Sequence, residues 1–364
     1  MSTPQIDAAR AEALAVRLFN ASVQAMDILS VYVGERLGLY QALVQHGPAT
    51  PTELAERAGI HHRYAREWME QQAVTGLLSV DDPGLPEDQR RYELDPSDAE
   101  ALVNPDSPFS ITPLARALVS STQVMPQLLD AYRTGGGVPW IAYGKDGIES
   151  QGDFNRPWLV AQLGTEYLPA IADVDARLSA DPPALVADVA CGVGWAGIAI
   201  AKAYPKVRVH GIDSDPSSIE LARQNAEASG VADRVTFEAR DAADLSLIGK
   251  YDAAIVVEAI HDMSRPVEAL KAIRSLLTPT GSLIVADERV AESFTAPGDE
   301  LERLFYGASI LICLPAGMAE QPSAATGTVM RPATMQKYGT EAGFRTVERL
   351  GLEHPFLQFY QLRP

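Results

Sequence analysis

Cysteine is scarce in this chain: two residues in 364, Cys191 and Cys313. Two thiols cannot build a disulfide framework, so stability has to come from apolar cores, and a reducing cytoplasm is the expected setting. Basic charge is also short. Lys and Arg number 30 against 48 Asp and Glu, a formal net charge of −18. Such a chain lacks the positive footprint that phosphate backbones and anionic lipids require, which argues against nucleic acid or a membrane as partner. No apolar run reads as long enough to span a bilayer; the longest candidate, around Ile310–Leu314, is short. The N-terminal MSTPQIDAARAEA has no basic start followed by an apolar stretch, so no signal peptide is expected. His, Cys and Asp residues show no metal-ligand spacing, and no metal is expected.

What the chain has is 46% apolar residues, enough for real cores, and a length that suggests two domains. Residues 6–45 are helical in pattern, with Leu14, Leu18, Val23, Met26, Leu29, Val33 and Leu37 spreading over wide apolar faces. That breadth suggests burial on two sides, and a second subunit would supply it. Thr50 to Gly59 then reads as a capped helix, with Thr50 and Glu53 as capping box, Pro51 at the first turn and Gly59 as stop. A second helix over His61–Gly76 and two short strands, Leu77–Val80 and Arg91–Leu94, complete a winged-helix pattern. The would-be recognition helix carries Arg63 and Arg66 but also Glu67 and Glu70, so it has no net positive charge. A scaffold and dimerisation role fits it better than DNA binding.

Residues 97–180 read as a helical connector broken by Pro105, Pro108, Pro113 and Pro126. Its aromatic, glycine-rich middle offers Trp140, Tyr143, Phe154 and Trp158 as pocket candidates, with interdomain core as the competing role for each. From Ala184 strands and helices alternate, the mark of a doubly wound parallel sheet. Strands are expected at Leu185–Val189, Val207–Ile212, Val235–Ala239, Ala253–Val257, Ser282–Ala286, Arg345–Leu350 and Phe356–Leu362, the last two as a hairpin. The chain thus divides into 1–96, 97–180 and 181–364.

The informative stretch is LVADVACGVGWAGIA, Leu185–Ala199. It reads as strand, glycine turn and helix start, with Gly192, Gly194 and Gly197 at the spacing of a nucleotide-binding turn. Taken alone, that spacing also suits a nicotinamide enzyme. Asp188 does not belong in an ordinary apolar strand, because a buried carboxylate needs partners. Asp213 ends the second strand 21 residues after Gly192 (213 − 192), the place of a ribose-binding acid whose two oxygens match two hydroxyls. Asp215 next to it has a sufficient role as helix cap.

Asp-Val-Ala-Cys-Gly-Val-Gly resembles the first motif of the class I S-adenosylmethionine-dependent methyltransferases, D-x-G-x-G-x-G, with Ala190 in place of the first glycine. The antiparallel final hairpin resembles that family's sheet as well. The resemblance implies an α/β fold: a Rossmann-like seven-stranded domain with a C-terminal antiparallel hairpin, preceded by a helical and winged-helix N-terminal domain. It implies S-adenosylmethionine held by Asp188, Ala190, Gly192, Gly194 and Asp213, by Asp241 and the Ala242 N–H at the adenine, and by Glu258 nearby. The segment Glu258-Ala-Ile-His261-Asp262-Met263 resembles the His-Asp-Trp motif of plant-type small-molecule O-methyltransferases, with Met263 replacing the tryptophan at the substrate. There the histidine is the general base, so the resemblance implies that role for His261, with Asp287 as one of its orienting carboxylates; a hydrogen bond at the strand end that shapes the pocket is the competing role. The second carboxylate has no counterpart where the family places it, at Met330-Arg331-Pro332.

These residues imply methyl transfer to a small aromatic or polyketide-like hydroxyl by a cytoplasmic homodimer. The alternatives are N- or C-methylation by proximity, a winged-helix regulator with a vestigial catalytic domain, and a nicotinamide enzyme. The segment 291–334 is a long insertion, with a helix expected at Asp299–Leu311 and a mobile loop at Gly317–Arg331; its Met318 and Met330 suit either pocket or packing.

Overall fold

The computed structural model describes residues 6–244 and 250–364. The first five residues of the stretch read for a leader lie outside these. The chain divides into two compact units, Met1–Val119 and Ser120–Pro364.

The first unit begins with a 29-residue helix, Ala8–Arg36, and a short one, Leu39–His46. The capping box forms as its sequence dictates: Glu53 N–H donates to the Thr50 hydroxyl, and Thr50 N–H donates to the Glu53 carboxylate. Helices Pro51–Ala58 and His62–Val74 follow, then the paired strands β1 (Ser79–Val80) and β2 (Tyr92–Glu93), so the winged helix is present. Its core gathers Leu39, Tyr40, Leu54, Met69 and Tyr92, with Tyr40 edge-on to Trp68 at 5.1 Å. On the second winged-helix helix every basic side chain faces an acid: His62 with Asp88, Arg63 with Glu67, and Arg66 with Glu87. That pairing removes the free cations that DNA phosphates would need.

The long first helix corrects one expectation. By length and composition Ala8–Arg36 is apolar enough to cross a membrane, with a mean hydropathy of 1.2 over its best window. Its apolar residues are distributed around a single long helix, which hides them from a search for uninterrupted runs. Phe19 is 67% and Met26 66% exposed within this chain.

The second unit is built on a seven-stranded sheet. Its strands are β3 (Leu185–Val189), β4 (Arg208–Asp213), β5 (Val235–Ala239), β6 (Tyr251–Val257), β7 (Leu277–Glu288), β8 (Thr346–Arg349) and β9 (Leu357–Arg363). The order is β5-β4-β3-β6-β7-β9-β8, parallel except for β9, which is antiparallel to both neighbours. All seven expected strands are present and the final hairpin forms. Both faces are covered, as in parallel sheets. Val186, Ile255, Ile284 and Phe359 point into one core, and their neighbours Ala187, Val256, Val285 and Tyr360 into the other. The carboxyl ends of β3, β4 and β6 lie side by side, where an open α/β sheet binds ligands.

Within the insertion, Glu300–Ala308 is helical, capped by Asp299, and continues as a π-helix over Ser309–Cys313. The expected loop is irregular but tied down: Ala324 N–H donates to the Ser264 carbonyl and Thr326 bonds the Tyr338 hydroxyl. Met330 is core, 2% exposed.

Candidate active site

The glycine turn leaves β3 through Asp188, which is 1% exposed and accepts the Gly197 N–H on Oδ2 at 2.9 Å. Burial pushes its carboxyl up to about 7; the Gly197 hydrogen bond pulls it back, and the Asp213 charge adds to the rise. Ala190 and Gly192 follow at φ +55° and +50°. The turn is locked to the next strand, because Cys191 N–H donates to the Ile212 carbonyl and Gly192 N–H to Asp213 Oδ2 at 2.8 Å. Asp213 Oδ1 accepts from Asp215 N–H at 2.9 Å. Burial raises the Asp213 pKa against these two hydrogen bonds.

Gly194 does not line the cavity; packing demands it. A Cβ there would stand 2.6 Å from the Phe237 ring, at φ +86°. Ala190 bears a left-handed backbone that costs an L-residue about 1–2 kcal/mol. Ala190→Gly is therefore expected to stabilise the protein by about 0.5–1 kcal/mol after the entropy cost of glycine. A thermal melt should rise by roughly 2 °C.

Beyond the turn opens a cavity of about 520 Å³, within the range of small-molecule sites. Asp188, Ala190, Gly192, Asp213, Asp241, Ala242 and Glu258 all contribute to its wall. Asp241 accepts the Ala243 N–H at 2.6 Å and pairs with Arg265 at 3.2 Å. Glu258 sits at φ +48°, its Oε2 accepting from Gln151 Nε2 at 2.6 Å and Asn155 Nδ2 at 2.7 Å. Burial raises its pKa, and the Asn155 bond opposes the rise. Gln151 and Asn155 escape a sequence reading that looks to aromatics in this segment. The helix Gly144–Trp158 carries a usable signal: Ile148, Gly152, Asn155 and, just beyond it, Leu159 recur at helical spacing and all face the cavity.

The same spacing relocates two expected substrate residues. Phe154 and Trp158 point off the cavity side of that helix. Phe154 packs on Phe356 at 5.6 Å, and Trp158 against Tyr167, His354 and Phe359. Tyr143 is fully buried and donates its hydroxyl to the Leu311 carbonyl at 2.8 Å, pinning its turn to the π-helix. Trp140 and Met263 do line the cavity, beside Ile148, Leu159, Ile312 and Ala316. Trp195, at the helix start after the turn, is another wall residue that the motif spacing does not mark. It is 8% exposed, its indole N–H has no partner, and the Arg156 guanidinium lies 4.3 Å over its ring.

His261 and Asp287 are each 1% exposed and stand behind the cavity wall. His261 Nδ1 is 2.9 Å from Asp287 Oδ1 and 2.9 Å from Glu288 Oε2. Glu288, the next residue on β7, thus supplies a second carboxylate, from a position other than the one where the family places it. On the cavity side Nε2 faces Asp262 Oδ1 at 3.2 Å. Burial alone would lower the imidazole pKa; the charges of Asp262, Glu288 and Asp287 outweigh it and hold it well above its usual value. Asp262 and Cys313, not the imidazole, form the wall there.

Residues 183–330 match the model of a methyltransferase domain, and residues 25–104 that of an Rv2258c-like winged helix-turn-helix domain. The O-methyltransferase rstn1 of Aspergillus nomiae is 30% identical over 163 residues, which span 40% of this chain and 71% of that protein. The mitomycin biosynthesis 6-O-methyltransferase of Streptomyces lavendulae is 26% identical over 80% of this chain and 82% of its own. Human N-acetylserotonin methyltransferase, solved in complex with SAM, shares the fold with a TM-score of 0.70 at 19% identity, over 100% of this chain and 99% of that one. Mitomycin 7-O-methyltransferase shares it with a TM-score of 0.68 at 23% identity, over 98% and 99%.

Proposed function

Because the chain belongs to the S-adenosylmethionine-dependent methyltransferases, we propose that it methylates a hydroxyl oxygen of a small aromatic or polyketide-like acceptor. The observation that carries this reading is the division of the cavity. One end is ringed by the carboxylates of Asp188, Asp213, Asp241 and Glu258, and the other is walled by Trp140, Ile148, Leu159, Met263 and Ile312. The acidic end fits the cofactor, a cation with ribose hydroxyls, an adenine amine and an ammonium to donate. The unpaired Trp195 N–H fits it too, as a donor awaiting an acceptor such as the methionine carboxylate.

Bound S-adenosylmethionine supplies a sulfonium-activated methyl group. Asp213 would accept from the ribose, and Asp241 with the Ala242 N–H would address the adenine. Glu258, held by Gln151 and Asn155, would face the amino end. The apolar wall would place the acceptor hydroxyl in line and exclude water, and that positioning is the main source of rate. A general base must reach the proton it takes. His261 is sealed behind Asp262, so its proposed role is to hold the Asp262 carboxylate at the wall.

Titration calorimetry with S-adenosylmethionine and S-adenosylhomocysteine, followed by a panel of phenols, aliphatic alcohols and amines, tests the reading. Micromolar cofactor binding and turnover confined to hydroxyl acceptors are the expected result. Turnover of amines alone would move the assignment to N-methylation, and absence of cofactor binding would end it. The exposed apolar residues around Ala8–Arg36 support a homodimer, to be checked by sedimentation at twice the 39.2 kDa chain mass. With its two thiols not paired in a disulfide, the reading places that dimer in a reducing cytoplasm.

A further inference from the structure

We propose that Tyr143, assisted by Tyr132, is the positioning residue of the acceptor wall: its hydroxyl supplies the hydrogen bond that Pro315 withholds, and so holds the π-helix Ser309–Cys313 at the cavity. Pro315 stands just after that helix and has no N–H. The carbonyls that a donor at this position would serve are those of Leu311, at α-helical spacing, and Ile310, at π-helical spacing. Both are taken up by phenols from the connector. Tyr143 donates to the Leu311 carbonyl at 2.8 Å, and Tyr132 to the Ile310 carbonyl at 3.3 Å. The partners stand 168 and 178 residues apart in the chain, so no local pattern announces them.

The same proline accounts for the wide turn. Its ring crowds the carbonyl one α-helical turn back, so a regular helix cannot run through it undistorted. The chain answers by widening: Leu314 N–H reaches back to the Ser309 carbonyl, the longer π-helical span. A widened turn that also lacks a donor is weak by itself, and a backbone carbonyl kept from water needs a partner. Val138 N–H fastens the far end by donating to the Pro315 carbonyl at 2.9 Å. The two phenols fasten the middle.

Tyr143 bears on two parts of the wall at once. Its ring lies 5.7 Å from that of Trp140, and Leu311 and Ile312 pack into the same small core as Tyr143 and Val138. Trp140, Ile312 and Cys313 line the cavity, whereas Tyr143 stands behind them. It therefore acts through residues that would touch the acceptor and not on the acceptor itself. The cofactor end rests on other supports, the Gly192 bond to Asp213 and the Gly197 bond to Asp188. Removing the hydroxyl should loosen one half of the site and spare the other. That this wall selects the acceptor rests on the O-methyl-transfer reading; the replacement of a proline N–H by a phenol does not.

The test uses the full-length protein carrying Tyr143→Phe, Tyr132→Phe, Pro315→Ala, or Tyr143→Phe together with Pro315→Ala. Iodoacetamide reports on the Cys313 thiol, with peptide mass spectrometry to separate it from Cys191. Loss of the Tyr143 hydrogen bond should speed Cys313 alkylation roughly tenfold, and loss of the longer Tyr132 bond about threefold. Cys191 should keep its rate, and S-adenosylhomocysteine affinity should stay within about twofold. Tyr143→Phe should lower the melting temperature by about 2 °C, and by clearly less on the Pro315→Ala background, where an alanine N–H can serve the Leu311 carbonyl. For the best phenol of the acceptor panel, Tyr143→Phe should raise KM about tenfold and change kcat by less than about threefold. Unchanged Cys313 alkylation in both phenylalanine variants overturns the proposal, and so does an equal melting loss with and without Pro315. A lowered kcat at unchanged KM, or lost S-adenosylhomocysteine binding, makes Tyr143 a general structural residue and overturns its positioning role. A wild type that methylates no phenol removes the O-methyl reading and leaves the alkylation and melting results to decide the role of the two tyrosines.

Discussion

Asp213→Ala is expected to weaken S-adenosylhomocysteine binding by roughly a hundredfold. In the proposed site the carboxylate does two jobs. It accepts the Gly192 and Asp215 N–H groups, which fixes the turn, and its remaining lone pairs face the cavity. A hydrogen bond to a charged group contributes about 1.5–3 kcal/mol. Losing two from the ribose removes about 3 kcal/mol or more, and 1.4 kcal/mol is a factor of ten. Asp213→Asn keeps acceptor capacity and should fall between wild type and alanine. Calorimetry decides the point, with circular dichroism to confirm the fold. An alanine variant within about threefold of wild type would remove Asp213 from the cofactor site and the ribose assignment with it.

The half of the site that was legible from sequence is the half that is local. Asp188, Ala190, Gly192 and Asp213 are bound to one another by turn geometry and strand order, and short sequence signals encode both. The sheet was legible for a similar reason: strands buried on both faces read as apolar runs whatever their neighbours. The acceptor wall is different. Met263 and Ile312 meet there through topology, and so do Asn155 and Glu258, 103 residues apart. No spacing rule links them. Aromatics were a poor guide because bulk is most useful where it can be fully buried. Trp158 therefore went to the core, and smaller Gln151, Gly152 and Asn155 were left facing the cavity. Glu288 was invisible for a third reason. Neighbouring residues normally point to opposite faces of a strand, so a second carboxylate beside Asp287 is not the expected partner. At the end of β7, both acids converge on His261.

Asp188→Asn is expected to move stability and ligand affinity in opposite directions. The Asp188 carboxyl is raised from 3.8 to about 7 in the folded chain, first by burial and then by the Asp213 charge. A group with a raised folded pKa binds more protons folded than unfolded, so stability falls as pH rises from about 4 to about 7 and is flat above that interval. Each tenfold gain in proton affinity on folding is worth about 1.4 kcal/mol, which makes the cofactor-free protein a few kcal/mol less stable at pH 8 than at pH 4 through this residue alone. Raised carboxyls at Asp213 and Glu258 act in the same direction. Asparagine keeps an oxygen for the Gly197 N–H and never ionises. The variant should therefore melt about 5 °C higher than wild type at pH 8, with the gain shrinking toward pH 5. The cofactor reverses the preference. Its sulfonium and ammonium favour an ionised Asp188, so binding near pH 6 should release a proton, visible as a calorimetric enthalpy that depends on buffer ionisation heat. Asparagine cannot make that response, and its affinity for S-adenosylmethionine should drop about tenfold. A variant equally destabilised at both pH values would show that the neutral carboxyl is not the folded form. Retained affinity would show that the buried charge is not kept for the cation.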